Sequence, residues 1–467
     1  MEHVTVKDIV KACGGRLLCG PPEQPVEHIS IDSRQMKGKD LFVPIIGEKV
    51  DGHRFIGNAF AAGAAAALTS HHDQMESFFP WIQVEDTVAA LQQIGAWYRE
   101  KMSLPLVGVT GSVGKTTTRE MIAAALSARF QVYQTPGNSN SQVGVPITMT
   151  EISSQDEIGV IELGISEPGE MHRISMVAKV NQAVMTNIGI AHIGQLGSQA
   201  GICEEKLHIQ DGMGPGGILY VNGDDPILCG VPVKEGCRRI TYGIDGDWDY
   251  QARDLVIQEG LPSFRAICRE SGESVSLTLS APGRHMVGNA MAALAVAREN
   301  GVPMKDAARM LEQFDGLQGR QQIHHIQGIT LIDDSYNASP VSMKAGLQVL
   351  LDMPKTGRTI AVLADMKELG SEEKRHHREI GAFLSGKGVD LVLLFGGLAA
   401  EIGKELEGEE GTKVLYFQEK ESLSKWLKEQ LLPGDCLLVK GSNSMGLGTV
   451  VSDLLSTASI PRGVFCE

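Results

Sequence analysis

Val107-Gly108-Val109-Thr110-Gly111-Ser112-Val113-Gly114-Lys115-Thr116-Thr117 is the stretch on which the fold is decided. It continues an apolar run that begins at Leu106, and it leads into Met121, Ile122, Ala125 and Leu126 at helical spacing. Strand, glycine turn and helix therefore stand in order, as a phosphate-binding loop requires. Glycines let the backbone approach a triphosphate, and N–H groups at the helix start bind its oxygens. Lys115 adds a charge at the β/γ phosphates and the Thr116 hydroxyl offers a ligand to Mg²⁺. The segment Gly111, Ser112, Val113, Gly114, Lys115, Thr116 and Thr117 is thus expected to bind ATP. The spacing departs from GxxxxGK[ST], because Val109 stands where the first glycine is expected and Gly108 lies one residue earlier.

Outward from this loop, the apolar runs Leu106 to Val109, Val160 to Leu163, Ala183 to Thr186 and Ile218 to Val221 are each followed by a loop and a helical stretch. Continuous runs of this kind suit a parallel sheet covered on both faces. Between Arg239 and Ser280 the period shortens to two around the turn Ser271-Gly272-Glu273, which predicts a β-hairpin appendage. The βα rhythm resumes after Gly319 with Ile329 to Ile332, Ile360 to Leu363, Leu391 to Phe395 and Cys436 to Val439. The first hundred residues mix short strands with an alanine-rich segment, Ala59 to Leu68, that reads as a packed helix.

The expected architecture is α/β in three domains: a small α/β domain over 1–103, a central doubly wound, mostly parallel P-loop-type sheet over 104–318, and a Rossmann-like α/β domain over 319–467. The length agrees, since 467 residues at roughly 100 to 200 per domain favour about three.

With 42 Lys+Arg against 57 Asp+Glu the net charge is -15, which disfavours nucleic acid or an anionic membrane as partner. Cys13, Cys19, Cys203, Cys229, Cys237, Cys268, Cys436 and Cys466 form no CxxC pair or zinc spacing and read as reduced thiols. No secretory signal or membrane segment is expected, so the chain is placed in the cytoplasm.

Two further positions carry chemistry. Glu162 lies inside the apolar run Val160 to Gly164, where an unpaired carboxylate is costly, so it calls for either a metal or a cationic partner. His192 follows Thr186-Asn187-Ile188-Gly189 at the end of another expected strand, where a metal ligand or phosphate-side donor belongs, although a lone histidine more often packs. The pairs His71-His72, His324-His325 and His376-His377 lack such context and read as surface or packing residues.

The segments Thr110 to Thr117, Gly137-Asn138-Ser139-Asn140, Glu162-Leu163-Gly164, Thr186-Asn187 with His192, and Glu204-Glu205-Lys206 together resemble the central domain of the Mur ligases. Asp32-Ser33-Arg34, Gly47 with Asp51-Gly52-His53, Pro282-Gly283-Arg284-His285 with Asn289, and Asp333 to Pro340 extend the resemblance over all three domains. These runs are similar to the branch of the family that adds a dipeptide.

The resemblance implies a reaction of peptidoglycan synthesis. ATP phosphorylates the terminal carboxylate of UDP-N-acetylmuramoyl-tripeptide, and the amine of D-alanyl-D-alanine attacks the acyl phosphate, releasing ADP and phosphate. It implies two Mg²⁺ ions held by Thr116, Glu162, His192 and a carbamylated Lys206, because a carbamate supplies a hard oxygen ligand where an ammonium would be repelled. It places Asn289 at adenine, brings Arg320 to the γ-phosphate from the third domain, and gives Asp334 the ribose or the orientation of that domain. Catalysis falls to Lys115, Glu162, His192, Lys206 and Arg320. Ser33, Arg34, Gly47, Asp51, Gly52 and His53 take the UDP end, with Asn138, Asn140, Tyr336 and Asn337 further along the substrate, and the enzyme is expected to be a monomer.

Asp365 to Gly370 and Lys440-Gly441-Ser442 mark the dipeptide side. There the chain departs from the family pattern, with Asn443-Ser444-Met445 where an arginine usually follows the serine, and Ala364 where a glycine usually precedes the aspartate. A sister ligase adding one amino acid would share the ATP residues but display a DNP-type motif, which the last domain lacks. A GTPase-like switch would need an NKxD motif, which is absent.

Overall fold

In the computed structural model, residues 1–458 are described. Cys466 and the remainder of 459–467 lie outside the described residues.

Strand Ala64–Thr69 is central to a five-stranded sheet ordered Arg16–Cys19, Trp81–Gln83, Ala64–Thr69, Asp40–Phe42, His28–Ser30, parallel except for the first pair. The alanine-rich segment is therefore not one packed helix. Helix Ile56–Ala61 stops before Gly63, whose φ of 106° only glycine adopts freely, and the chain then turns into the strand. Ala66 and Leu68 join one apolar cluster while Ala64 and Ala67 join another, so both faces of the strand are covered. The helical propensity of alanine is overridden by this two-sided burial.

The central sheet has nine strands, in the order Ser274–Thr278, Leu261–Cys268, Tyr250–Gln258, Arg238–Gly243, Ile218–Asn222, Gln182–Met185, Leu106–Thr110, Ile158–Glu162, Val132–Gln134. The strands from Val132–Gln134 to Tyr250–Gln258 run parallel, and the two antiparallel pairings follow at the far edge. The expected hairpin thus continues the sheet instead of standing apart from it. Helices Lys115–Leu126 and Arg284–Glu299 cover one face through Met121, Ile122, Ala290 and Leu294. Helix Glu170–Ala178 covers the other through Met171, Ile174 and Val177. With both faces buried, the strand tips next to Leu106–Thr110 are the open places on the sheet, where ligands bind in such folds.

The third sheet has six strands, in the order Gln322–Ile326, Ile329–Asp334, Cys436–Lys440, Thr359–Ala364, Leu391–Phe395, Lys413–Phe417, with only the first pair antiparallel. Its neighbours are in contact with it, because Ile190 of the central unit packs against the third core. On the other side, helix Thr87–Glu100 buries Ile94 and Tyr98 in the first core together with Val143 and Ile147 of the central unit. Arg99 of that helix donates to the Ala178 carbonyl at 3.0 Å. Among the described residues no helix is long and apolar enough to cross a membrane, and the seven cysteines are unpaired.

Candidate active site

The loop after strand Leu106–Thr110 is held by the neighbouring strand tip. Ser112 N–H donates to the Asn187 carbonyl at 3.0 Å and Val113 N–H to Asn187 Oδ1 at 2.9 Å. Thr186 Oγ1 and Asn187 Nδ2 donate to the Val113 carbonyl at 2.7 and 2.8 Å. Gly189 N–H in turn donates to Ser112 Oγ at 2.8 Å. A Cβ at Gly111 would lie 1.9 Å from Thr186 Oγ1, so only glycine allows this approach. Gly114, with φ of 81°, turns the chain into helix Lys115–Leu126.

Lys115 Nζ donates to the Gly111 carbonyl at 3.0 Å, folding back over the loop. Burial lowers its pKa; Glu162 opposes the shift and Arg320 adds to it, so a carboxylate and a guanidinium both act on the same ammonium. Thr116 and Thr117 are buried at the helix start. Thr118 Oγ1 donates to Asn289 Oδ1 at 3.1 Å, which brings the expected adenine contact beside the first turn of this helix.

Glu162, 1% exposed, accepts from Asn140 Nδ2 at 2.7 Å and lies 3.5 Å from an Arg119 guanidinium nitrogen. Arg119 also donates to the Gly137 carbonyl at 3.0 Å and pairs with Glu120. Of the two partners anticipated for Glu162, the cationic one is thus present in the fold. Arg119 escapes a reading of the sequence, because one turn into a helix it looks like a solvated charge; only the packing of that helix on strand Ile158–Glu162 buries it.

Lys206 on helix Gln199–Leu207 is 2% exposed. Burial, then the nearby charge of Lys115, holds its pKa well below the ordinary lysine value, with Glu205 and Cys203 opposing. Among the described residues its Nζ takes part in no hydrogen bond or ion pair. Glu205 is engaged elsewhere, accepting from Gly169 N–H at 2.8 Å and Met171 N–H at 2.9 Å at the start of helix Glu170–Ala178. A buried, unpartnered amine whose charged form is disfavoured is suited to reaction with CO₂, so the residue fits a carbamate better than an ammonium. With the Thr116 hydroxyl, the Glu162 carboxylate and the His192 imidazole, the donor set is of the hard oxygen and nitrogen kind that suits Mg²⁺.

His192 stands at the start of the short helix Ile193–Leu196 with φ of 61°, and its Nδ1 lies 3.3 Å from Glu368 Oε2 of the third unit. Burial lowers its pKa, Glu368 opposes, and the charges of Lys115 and Lys206 reinforce the shift. Tyr336 crosses the same interface: its hydroxyl accepts from Asn138 Nδ2 of the central unit, and within the third unit the Arg320 guanidinium lies 4.3 Å from the centre of its ring. Asp334 is buried against Lys440 at 2.7 Å and accepts from Gln321 Nε2 at 3.3 Å, which favours the orienting part of its expected role. Asn337 is exposed, its Oδ1 accepting from Ala338 N–H and its carbonyl from Lys440 Nζ.

The remaining candidates lie apart, in the first unit. Arg34 makes a two-pronged pair with Asp32 at 2.9 and 2.8 Å and is otherwise exposed. His53 Nε2 accepts from Ser70 N–H at 3.1 Å, so its Nδ1–H donates to Asp51 Oδ1 at 2.7 Å. Its ring stacks on His71 at 3.9 Å, a packing contact for that histidine. Gly52 allows the backbone to approach Ile45, whose N would lie 2.7 Å from an added Cβ. Gly47 N–H closes the adjoining turn on the Val50 carbonyl at 3.0 Å, and Ser33 is half-buried beside it in sequence order after Asp32. His377, also taken as a packing residue, accepts from Met366 N–H at 2.9 Å and thereby holds the loop after strand Thr359–Ala364.

Comparison with known proteins gives one answer. Residues 109–297 match the Mur ligase middle domain, 319–443 the Mur ligase glutamate ligase domain, and 25–134 the Mur ligase family catalytic domain. The chain is 37% identical to the UDP-N-acetylmuramoyl-tripeptide--D-alanyl-D-alanine ligase of Bacillus subtilis over 97% of its length and 98% of the relative's. It is 32% identical to the Escherichia coli enzyme of the same name, over 97% and 99%. Among solved structures, MurF from Acinetobacter baumannii superposes with a TM-score of 0.87 at 30% identity, covering 97% of this chain and 98% of that one. MurF ligase from Thermotoga maritima, in complex with ADP, gives 0.81 at 28% identity over 93% and 98%. The chain belongs to the Mur ligase family, in its UDP-N-acetylmuramoyl-tripeptide--D-alanyl-D-alanine ligase branch.

Proposed function

We propose that this chain joins D-alanyl-D-alanine to UDP-N-acetylmuramoyl-tripeptide at the expense of ATP, in the cytoplasm and as a monomer. Residues 1–103 take the UDP end through Ser33, Arg34, Gly47 and Asp51 to His53; 104–318 hold ATP; and 319–467 receive the dipeptide. The observation that carries this reading is the meeting of the central loop with the third unit, where Arg320 acts on Lys115 and Tyr336 closes on Asn138. A nucleotide switch needs no second domain at its lysine, whereas a ligase must bring two substrates there.

Gly111 to Thr117 cradle the phosphates, with Asn289 beside the base. Lys115 and Arg320 draw the γ-phosphoryl charge onto themselves as it leaves ADP, an effect supplying on the order of several kcal/mol in such sites. Thr116, Glu162, His192 and carbamylated Lys206 would hold two Mg²⁺ ions, which when bound offset phosphate charge. The tripeptide carboxylate oxygen attacks the γ-phosphorus, giving an acyl phosphate and ADP. The dipeptide amine then attacks the acyl carbon, the amide bond forms, and inorganic phosphate leaves carrying that carboxylate oxygen.

The reading is tested with a tripeptide whose terminal carboxylate carries ¹⁸O. One labelled oxygen should appear in the phosphate for each amide formed, and unlabelled phosphate with full amide yield would reject an acyl phosphate.

A further inference from the structure

A second group of donor side chains lies on helix Glu170–Ala178 and the turn His208–Gln210 that packs beside it. His172, His208 and Asp211 bring two imidazoles and one carboxylate together, with one donor atom from each within 4.8 Å of the others. His172 Nδ1 lies 2.6 Å and His208 Nδ1 2.8 Å from the same atom, Asp211 Oδ2. The two rings stand at 88° to each other, so they reach that oxygen from different directions.

Burial of their neighbours places these groups. Met171 and Ile174 enter the core under the sheet and leave His172 between them exposed; Ile209 enters the same core, with His208 and Asp211 to either side of it partly exposed. The two segments are also locked backbone to backbone, because a Cβ at Gly212 would lie 2.1 Å from the Ser175 carbonyl oxygen. Lys234 Nζ donates to the carbonyls of Asp211 and Met213 at 2.8 and 2.6 Å and so fixes the turn without pairing with the Asp211 carboxylate. The side chains are thus held in place before any ligand arrives, which is the condition for a usable site.

Asp211 Oδ1 and the Nε2 atoms of both histidines have no partner among the described residues. Burial on its own would raise the Asp211 pKa, yet the hydrogen bonds from His172 and His208 bring it below the ordinary carboxyl value, so the group is an anion. Each imidazole can carry its hydrogen on the free Nε2 and turn the Nδ1 lone pair to a metal. A tetrahedral ion with bonds of about 2.0 to 2.1 Å sets its ligand atoms roughly 3.3 Å apart, so the three groups need only open slightly from their present spacing. Two imidazoles and a carboxylate suit Zn²⁺ and related transition metals, whereas Mg²⁺ keeps to oxygen. We propose that His172, His208 and Asp211 form a binding site for one divalent transition-metal ion of the Zn²⁺ kind, separate from the Mg²⁺ ligands at the nucleotide, with water completing the coordination. Glu205 already ties the helix that carries Lys206 to the start of helix Glu170–Ala178, and a metal here adds a second tie between the same two segments.

The test is titration of the full chain with Co²⁺, read by its visible absorption, and then with Zn²⁺, in the presence of saturating Mg²⁺ and ADP so that the nucleotide site is filled. Wild type, His172→Ala, His208→Ala and His71→Ala are compared, the last removing a histidine from the other grouping of this type, Asp51 with His53 and His71. The side chains of His172 and His208 are 57% and 44% exposed, so their replacement leaves the core untouched. The expected result is one Co²⁺ per chain with the intense absorption of a tetrahedral site, displaced by Zn²⁺. Affinity should fall at least about tenfold in His172→Ala and in His208→Ala, the loss that even an outer-shell partner brings, and stay at the wild-type value in His71→Ala. Zn²⁺ should also raise the unfolding midpoint of wild type and not that of His172→Ala. No Co²⁺ or Zn²⁺ bound by wild type, wild-type affinity in both His172→Ala and His208→Ala, or loss of the site in His71→Ala would each overturn the proposal.

Discussion

Lys440 Nζ lies 2.7 Å from Asp334 Oδ2 with both side chains buried, joining the tips of two adjacent parallel strands. Burial raises the Asp334 carboxyl pKa, and the Lys440 charge only partly offsets it. Removing one partner leaves an uncompensated charge in the interior. Lys440→Met should therefore lower the stability of the third domain by about 3 kcal/mol, and Asp334→Asn combined with Lys440→Met should recover part of that loss. Urea unfolding followed in this domain checks it; a single variant as stable as wild type would contradict the pair's structural role.

Near this pair, burial and the Lys440 charge push the His285 pKa down to about 4, with Gln321 opposing. An unfolded histidine titrates near about 6.5, so between these values the unfolded chain binds more protons than the folded one. Stability should be constant well above pH ~6.5 and fall as the pH drops toward 4, by on the order of 3 kcal/mol. Comparing unfolding midpoints at neutral and acidic pH for wild type and His285→Gln tests the sign, since the variant should lose that part of the slope.

At the nucleotide loop, Gly111→Ala would place a methyl group 1.9 Å from Thr186 Oγ1. The loop must leave the Asn187 anchor to accommodate it. ADP affinity, measured by calorimetry, should fall at least about tenfold, the equivalent of ~1.4 kcal/mol, in a protein whose circular dichroism is unchanged. Unaltered ADP binding would show that the loop does not hold the phosphates in this form.

Lys115→Ala should bind substrates and fail to turn over, because the lost ammonium is worth roughly 3 kcal/mol or more at a migrating phosphoryl group, about a hundredfold or more in rate. Single-turnover measurement separates the chemical step from binding, and a folded variant with wild-type turnover would take Lys115 out of catalysis.

The buried amine of Lys206 leads to a different expectation. Lys206→Ala should be inactive and partly restored by added short-chain carboxylates, which can occupy the space of a carbamate and supply its oxygens. Full activity with no added carboxylate would remove Lys206 from the metal site.

The parts of this site that could be read before the structure share one property, which is that their evidence is contiguous. Thr110 to Thr117 carries strand, turn, lysine and helix within one segment, and Glu162 stands out because its own strand is apolar on both sides. What could not be read depends on packing between distant segments. Arg119 becomes a buried partner of Glu162 only when its helix lies on that strand. Glu368 meets His192 only across a domain interface. The strands Val132–Gln134 and Gln322–Ile326 went unseen because each is an edge strand whose residues are mostly half-exposed, leaving no apolar run to mark them. The strand Ala64–Thr69 was hidden by its composition, since alanine reads as helix until a sheet covers it on both sides.

The most direct test of the account is the release of ADP from ATP by the purified chain, measured with each acceptor supplied singly and with both together. Rapid, sustained ADP release, matched mole for mole by amide, should require UDP-N-acetylmuramoyl-tripeptide and D-alanyl-D-alanine at the same time. Sustained ADP release with either one missing, or with both present and no amide formed, would contradict it.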